Sequence, residues 1–334
     1  MSVEQLLVKA WHRDSWWLLF LRPLALLFRG LAQLRRRWLQ SKFQGLPFAV
    51  PVVVVGNLSV GGSGKTPLVV ALVKALAERG LKAGVVSRGY GGRAAQYPVM
   101  VSVASVAAEV GDEPLLIAQQ TVALDCPVVV DPNRHRGVEF LLASAQVDLI
   151  LTDDGLQHYG LHRDVEIAVI DGARGLGNQR TLPAGPLREP VQRLSEVDFV
   201  LVNGAATGLD SDSEISIQAS AFRHFASGSI IALDAWAEIR SVHAVAAIGN
   251  PERFAKTLEG LGFELSLVGK NDHQPLSLAD ISFNDQRPVI ITAKDAVKFI
   301  HTAPDNLWVL EVEMIVESAF VDRLVQRANL SSEH

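Results

Sequence analysis

A chain of 334 residues, 49% of them hydrophobic and only one a cysteine, can fill two packed cores, and this composition excludes a disordered chain or an internal disulfide framework. The net charge of −5 hides an asymmetry. Residues 1–42 carry eight basic side chains (Lys9, Arg13, Arg22, Arg29, Arg35, Arg36, Arg37 and Lys42) against Glu4 and Asp14, a net +6 that leaves −11 on the remainder. With the cations confined to one apolar arm and no interleaved aromatic and basic platform elsewhere, a nucleic-acid partner has no support. The lone Cys126 fits a reducing compartment and reads as a small buried hydrophobe.

The arm comes first. Between Trp16 and Phe28 it is nearly all apolar, but Arg22-Pro23 divides it into runs of six and five residues, short of the about 20 that a spanning helix needs. On a helical wheel Trp17, Phe20, Leu24, Leu27, Leu31, Leu34 and Trp38 share one face, while Arg22, Arg29 and Arg36 recur every seventh residue on the other. That pattern predicts an amphipathic helix lying in a membrane interface, either one helix kinked at Pro23 or two short ones. Leu18, Leu19 and Leu26 fall on the basic side and blur it. A helix packing on its own domain is the plainer alternative. A signal peptide is disfavoured, because the apolar stretch ends in Arg35-Arg36-Arg37 with no small-residue cleavage site.

The apolar strand Val52-Val53-Val54-Val55 then feeds Gly56-Asn57-Leu58-Ser59-Val60-Gly61-Gly62-Ser63-Gly64-Lys65-Thr66. Glycines free successive N–H groups to converge on an anion, and the helix that follows adds the positive end of its dipole. Lysine reaches the β/γ-phosphates and threonine offers a hydroxyl to Mg²⁺. Ser59 stands where the usual pattern has its first glycine, so Gly61 and Gly62 must carry the turn. An ordinary glycine-rich turn is the competing reading.

Beyond the loop, strands are predicted at 51–55, 82–87, 127–130, 147–152, 165–170 and 197–202, with helices at 67–79, 113–121 and 133–143. Short continuously apolar strands alternating with helices predict a P-loop-like α/β fold, a parallel sheet covered by helices on both faces. The stretch 204–214 reads as a loop, and 215–222 and 229–239 as extended. A second, smaller α/β set follows, with strands at 244–248, 263–268, 288–292 and 307–313 and helices at 251–261 and 294–300. The expected division is an arm at 1–44, a core at 45–220 and a smaller domain at 221–334.

Several chemical groups fall at predicted strand ends, where open α/β sheets bind ligands. Asp153 and Asp154 close an apolar strand, the position of a carboxylate that serves Mg²⁺ in phosphoryl transfer, though either could be a turn residue. Gln157 and His158 follow on the same rim. Arg88 and Tyr90 sit in a glycine-rich turn suited to an anionic substrate. Asp112 and Glu113 could simply complement a helix dipole. His273, in Asn271-Asp272-His273-Gln274-Pro275, has no partner visible in the sequence.

In order, these pieces resemble the tetraacyldisaccharide 4′-kinase family of lipid A biosynthesis. The resemblance rests on Gly61 to Pro67, Ser87-Arg88-Gly89-Tyr90, Gly111-Asp112-Glu113-Pro114, Asp153 to His158, Leu182 to Glu189, Asp272-His273 and Thr292-Ala293-Lys294-Asp295, and runs from about residue 15 to residue 298. It implies an ATP- and Mg²⁺-dependent kinase, peripheral or monotopic on the cytoplasmic face of the Gram-negative inner membrane, with no obligate protein partner. The reaction implied is transfer of the γ-phosphate of ATP to the 4′-hydroxyl of an acylated glucosamine disaccharide 1-phosphate, forming lipid IVA.

By the resemblance, Asp112 is the general base and His273 orients it or tunes its charge. Ser59 through Thr66 bind ATP, while Thr66, Asp153 and Asp154 serve the metal. Arg88, Tyr90, Glu113, Gln157, His158, Arg188 and Glu189 line the cleft. Competing readings fare worse on the residues. A membrane-bound cell-division ATPase would place a second lysine where Val60 stands, Thr292-Ala293-Lys294-Asp295 has the wrong spacing for guanine readout, and one cysteine is too few for soft-metal delivery. A non-catalytic lipid-binding protein would need neither phosphate-site element.

Overall fold

The computed structural model describes residues 3–13, 15–42, 47–205, 210–270, 274–299 and 304–330. The arm comprises α1 (Val3–Arg13), a 3-10 segment (Trp16–Leu21) and α2 (Arg22–Lys42). The core then runs β1 (Val52–Gly56), α3 (Lys65–Ala77), β2 (Ala83–Ser87), β3 (Val99–Val101), α4 (Ala107–Val110), α5 (Asp112–Thr121), β4 (Val128–Val130), α6 (Arg134–Ser144), β5 (Leu149–Thr152), β6 (Val165–Asp171) and β7 (Phe199–Asn203). There follow β8 (Ser213–His224), β9 (Ile230–Ala232), β10 (Ser241–Ala246), α7 (Pro251–Gly260), β11 (Glu264–Gly269), α8 (Leu278–Ile281), β12 (Val289–Thr292), α9 (Ala293–Ala296), β13 (Leu307–Ile315) and α10 (Ser318–Arg327).

One sheet threads the molecule in the order β11-β10-β12-β13-β8-β7-β6-β1-β5-β2-β4-β3, with β9 paired to β8. In the core the pairs are parallel except β3 with β4. Each β1 side chain is buried on one face or the other. Val53 and Val55 pack with Leu68, Leu72 and Leu76 of α3, whereas Val52 and Val54 pack with Val138 and Leu141 of α6. That is the fully apolar strand a doubly covered parallel sheet requires.

The twelve-residue β8 joins the two halves. Its start runs parallel to β7 and its remainder pairs antiparallel with β13, so residue 220 lies inside a continuous strand. The helix expected at 294–300 is only Ala293–Ala296 within the described residues, capped by Thr292 Oγ1 accepting from the Asp295 N–H. β3, α4, α8 and α10 are not among the predicted elements. In α10, Phe320, Val321 and Leu324 bury completely against the core, and Phe320 meets Phe199 edge-on at 5.2 Å. These three side chains contribute about 1.5–3 kcal/mol each. Cys126 is half-buried, and burial pushes its thiol up to about 12, which leaves it unreactive.

In the arm, Pro23 does not break the chain as the sequence reading allows. It is the second residue of α2, where a missing N–H costs nothing, and the 3-10 segment passes directly into the helix. Helix therefore continues from Trp16 to Ser41, a stretch long and apolar enough to cross a membrane by length and composition alone. Ala10, Trp11 and Leu18 bury against the body, and Trp11 Nε1 donates to the Pro183 carbonyl at 3.0 Å. Leu18, misplaced on the wheel, is thus a docking residue. Phe20, Leu24, Leu27, Leu31, Leu34 and Trp38 all remain more than half exposed.

Candidate active site

β1 lies between β5 and β6 with Val54 opposite Thr152, so the segments after β1 and β5 leave the sheet side by side. The loop after β1 is held from three directions. Ser59 bridges to Leu187, the Val60 N–H donates to the Pro186 carbonyl at 2.9 Å, and Asn203 Nδ2 donates to the Ser63 carbonyl at 3.0 Å. Gly64 has φ +93°, and a Cβ there would come within 2.5 Å of Asn203 Nδ2, so glycine is required. Gly61 and Gly62 face solvent, which leaves that stretch of backbone open to a ligand.

Val60 has a second contact. Its side chain packs on the Trp11 and Leu18 cluster of the arm. Val60→Ser removes two methyl equivalents from that partly buried contact, about 1 kcal/mol, and should speed amide exchange over residues 7–21 about fivefold. Unchanged exchange would show that the phosphate loop does not help to seat the arm.

Thr66 Oγ1 donates to Asp153 Oδ2 at 3.1 Å, and Lys65 Nζ lies 3.5 Å from Asp154 Oδ1. Asp153 is buried, its Oδ1 has no hydrogen-bond partner, and its carboxyl is pushed up to about 7, first by burial and then by the nearby Glu113 charge. A divalent cation would relieve that state, so Thr66 and Asp153 fit Mg²⁺. Among the described residues no three His, Cys, Asp or Glu side chains form a metal cluster, which suits a cation shared with phosphates rather than caged by protein. Burial alone would raise Asp154 too, but Lys65, Arg188 and Arg134 hold it below the usual carboxylate range.

Asp112 is the first residue of α5 and is buried, with the Glu113 N–H donating to its Oδ1 at 3.1 Å. It follows Gly111, where φ is +91° and a Cβ would meet the Tyr90 carbonyl at 2.8 Å. This close approach places the Arg88–Tyr90 turn against the start of α5. From the other half of the sheet Lys294 reaches over, 3.1 Å from Glu113 Oε1 and 3.9 Å from Asp112 Oδ2. His273 lies outside the described residues.

Arg188 Nη1 donates to Asp154 Oδ2 at 3.3 Å and to Gln157 Oε1 at 3.4 Å, which places both side chains on the phosphate rim. Glu189 lies one layer deeper, accepting from Gln157 Nε2 at 2.9 Å and from the Tyr159 hydroxyl, with Arg193 behind it. His158 is pulled down to about 4, chiefly by burial and then by Arg134, Arg163, Arg35 and Arg88, so it is neutral at physiological pH. Arg88 and Tyr90 are exposed.

Three residues the sequence reading does not assign join the site. Arg134, at the start of α6, is buried and its Nη2 donates to the carbonyls of Asp153 at 2.8 Å and Asp154 at 3.3 Å. Asn203, at the end of β7, holds the phosphate loop and accepts from Arg253 of α7 at 3.1 Å. The only sequence signal for Arg134 and Asn203 is their place at the carboxyl ends of β4 and β7.

The family model for tetraacyldisaccharide-1-P 4′-kinase matches residues 17–329. The tetraacyldisaccharide 4′-kinase of Ectopseudomonas mendocina is 47% identical, over 97% of each chain, and that of Pseudomonas entomophila 46%, over 96% of this chain and 95% of the other. Among solved structures, the "apo" form of LpxK from Aquifex aeolicus in complex with ATP superposes with a TM-score of 0.77 at 26% identity, covering 93% of this chain and 99% of that one. Motif order, fold and near full-length similarity agree, and this chain belongs to the tetraacyldisaccharide-1-P 4′-kinase family.

Proposed function

We propose that this chain transfers the γ-phosphate of ATP, with Mg²⁺, to the 4′-hydroxyl of an acylated glucosamine disaccharide 1-phosphate, forming lipid IVA. The observation that carries the reading is the convergence of two groups: Lys65, Thr66, Asp153 and Asp154 on one wall, and the buried Asp112 beside Glu113, whose charge is felt at Asp153, on the other. Phosphoryl transfer needs little covalent help from the protein; it needs positioning and charge neutralisation. Mg²⁺ held by Thr66 and Asp153 would screen the phosphate oxygens.

In this scheme the phosphate loop and Lys65 hold the nucleotide, Arg188 braces Asp154, and Asp112 accepts the sugar proton late in transfer. His273 orients or tunes Asp112. Lys294, brought from the other half, keeps the Asp112 and Glu113 pair from repelling both substrates. The parts work as an arm (1–44), a kinase core (45–220) and a smaller domain (221–334), with the last boundary inside β8.

The substrate's acyl chains stay in a bilayer while its headgroup must meet ATP, so the enzyme sits on the cytoplasmic face of the inner membrane. The exposed apolar face of the arm supports this placement, as does its opposite face. Arg36 bonds Glu196 at 2.5 Å and lies over the Tyr159 ring at 4.9 Å, next to His158 on the site rim. Incubation with ATP, Mg²⁺ and the acylated disaccharide should add one phosphate to the intact lipid by mass. ATP hydrolysis with no phosphate on the lipid would overturn the assignment in favour of a regulatory ATPase.

A further inference from the structure

The turn after β6 carries an arginine to the phosphate loop. β6 pairs with β1, Ala168 opposite Gly56, so the segments beyond the two strands leave the sheet together. Buried Asp171 ends β6 and shapes the turn: its Oδ1 accepts from the N–H groups of Ala173 at 3.0 Å and Arg174 at 3.2 Å. Gly172 packs on the end of β7, where a Cβ would meet the Ala205 carbonyl at 2.7 Å. The half-buried side chain of Arg174 then lies beside Gly61. A Cβ on Gly61 would come within 2.8 Å of Arg174 Nη1, and glycine leaves that space to the guanidinium. Arg174 Nη2 donates to the Gly249 carbonyl at 3.2 Å, a brace from the other half of the sheet. In the reverse direction, Arg253 bonds Asn203, which holds the Ser63 carbonyl of the same loop.

We propose that Arg174 is an arginine finger supplied in cis, a catalytic residue whose guanidinium contacts the γ-phosphoryl oxygens during transfer. This rests on the kinase reading of the site. In that step the sugar 4′-oxygen bonds the γ-phosphorus as the bond to the β,γ-bridging oxygen breaks. The electron pair of the broken bond stays on ADP, and the hydroxyl proton passes to Asp112. An arginine takes no proton here; it neutralises charge spread over the equatorial oxygens. Lys65 serves the β/γ-phosphates from the helix end of the loop, and Val60 supplies no second cation. Arg174 brings one to Gly61, four residues before Lys65, with a planar fork that can bond one oxygen while Nη2 stays on Gly249.

The test compares Arg174→Gln with wild type in the full chain. Its kcat should fall about a hundredfold, the usual effect of removing one donor aimed at developing charge, while the KM for ATP stays within about threefold. Calorimetric titration with Mg²⁺ and ADP should give wild-type affinity. Titration with Mg²⁺, ADP and aluminium fluoride, which imitates the phosphoryl group in transfer, should show a loss of about thirtyfold or more. Guanidinium chloride at millimolar concentration should restore part of the kcat of Arg174→Ala, and sodium chloride at the same ionic strength should not. If Arg174→Gln does not fold, Arg174→Lys keeps the charge without the fork and should show the same contrast between ADP and its fluoride complex.

Equal weakening of ADP and of the fluoride complex would make Arg174 a brace between the loop and Gly249 and would overturn the proposal, as would an unchanged kcat. Wild type that leaves the lipid unphosphorylated would sink the acceptor assignment alone. The contrast between ADP and its fluoride complex still decides the role of Arg174 in that case, because it needs no acceptor.

Discussion

Asp112→Asn is expected to lower kcat about a thousandfold while the KM for ATP stays within about threefold, a general base being worth roughly 10²–10⁴ in rate. A sugar hydroxyl is a poor nucleophile whose proton must be accepted as the bond to phosphorus forms. Asp112 is buried at the start of α5, with Lys294 Nζ 3.9 Å from its Oδ2. Asparagine keeps the shape and the Glu113 N–H bond but cannot take the proton. The proposed nucleotide-binding residues, Ser59 to Thr66, are untouched. Measuring kcat and ATP binding separately decides the matter. If the variant folds but no longer binds ATP, Asp112 belongs to the nucleotide side and the base lies elsewhere.

How much of this was legible in the sequence depends on the range over which each feature is encoded. The phosphate loop and the Asp153-Asp154 strand end are local patterns, a strand followed by the residues it presents, and both lie where the spacing predicts. The order of core strands and helices is equally local. What fails to show is what the fold brings together. Residues 215–222 read only as an extended segment after a loop, because the sequence carries no sign that β8 pairs with β7 at one end and β13 along the rest.

Val60 could be read against a missing lysine, but its contact with Trp11 lies 49 positions away in the chain. Lys294 was visible only as part of a motif. Its meeting with Glu113 exists because α9, the helix that follows β12, packs against α5. Pro23 misled for a related reason. Whether a proline breaks a helix or begins one depends on where the helix starts, which tertiary packing of Leu18 and Trp11 decides.

Arg134 gives the second large effect: Arg134→Met should lower kcat about a hundredfold or more, with a stability change of about 2 kcal/mol or less. In sequence Arg134-His135-Arg136 looks like a solvated helix start, and Arg136 behaves that way, pairing with Asp131 at 2.6 Å from a half-exposed position. Arg134 instead points inward and is only 2% exposed. Burial pulls its guanidinium down to about 10, against the pull of Asp153 and Asp154, so it remains charged at neutral pH. Its Nε and Nη1 have no hydrogen-bond partner among the described residues.

A charge kept so dry is poor value for stability, and an apolar residue of similar volume often serves a fold as well. Methionine should therefore leave the protein folded, the loss of two carbonyl bonds roughly offset by relief from desolvation. The site is another matter. Arg134 fixes the main-chain carbonyls of both Asp153 and Asp154, and displacement by about 1 Å at the proposed metal carboxylate can cost about a hundredfold in transfer. Both bonds come from the one Nη2 nitrogen, so Arg134→Lys should recover part of the lost kcat to the extent that its ammonium reaches that place. Calorimetry and steady-state kinetics together test the claim. A folded Arg134→Met enzyme with wild-type kcat would reduce Arg134 to a packing residue, and a variant that fails to fold would show that the two carbonyl bonds outweigh the cost of the buried charge.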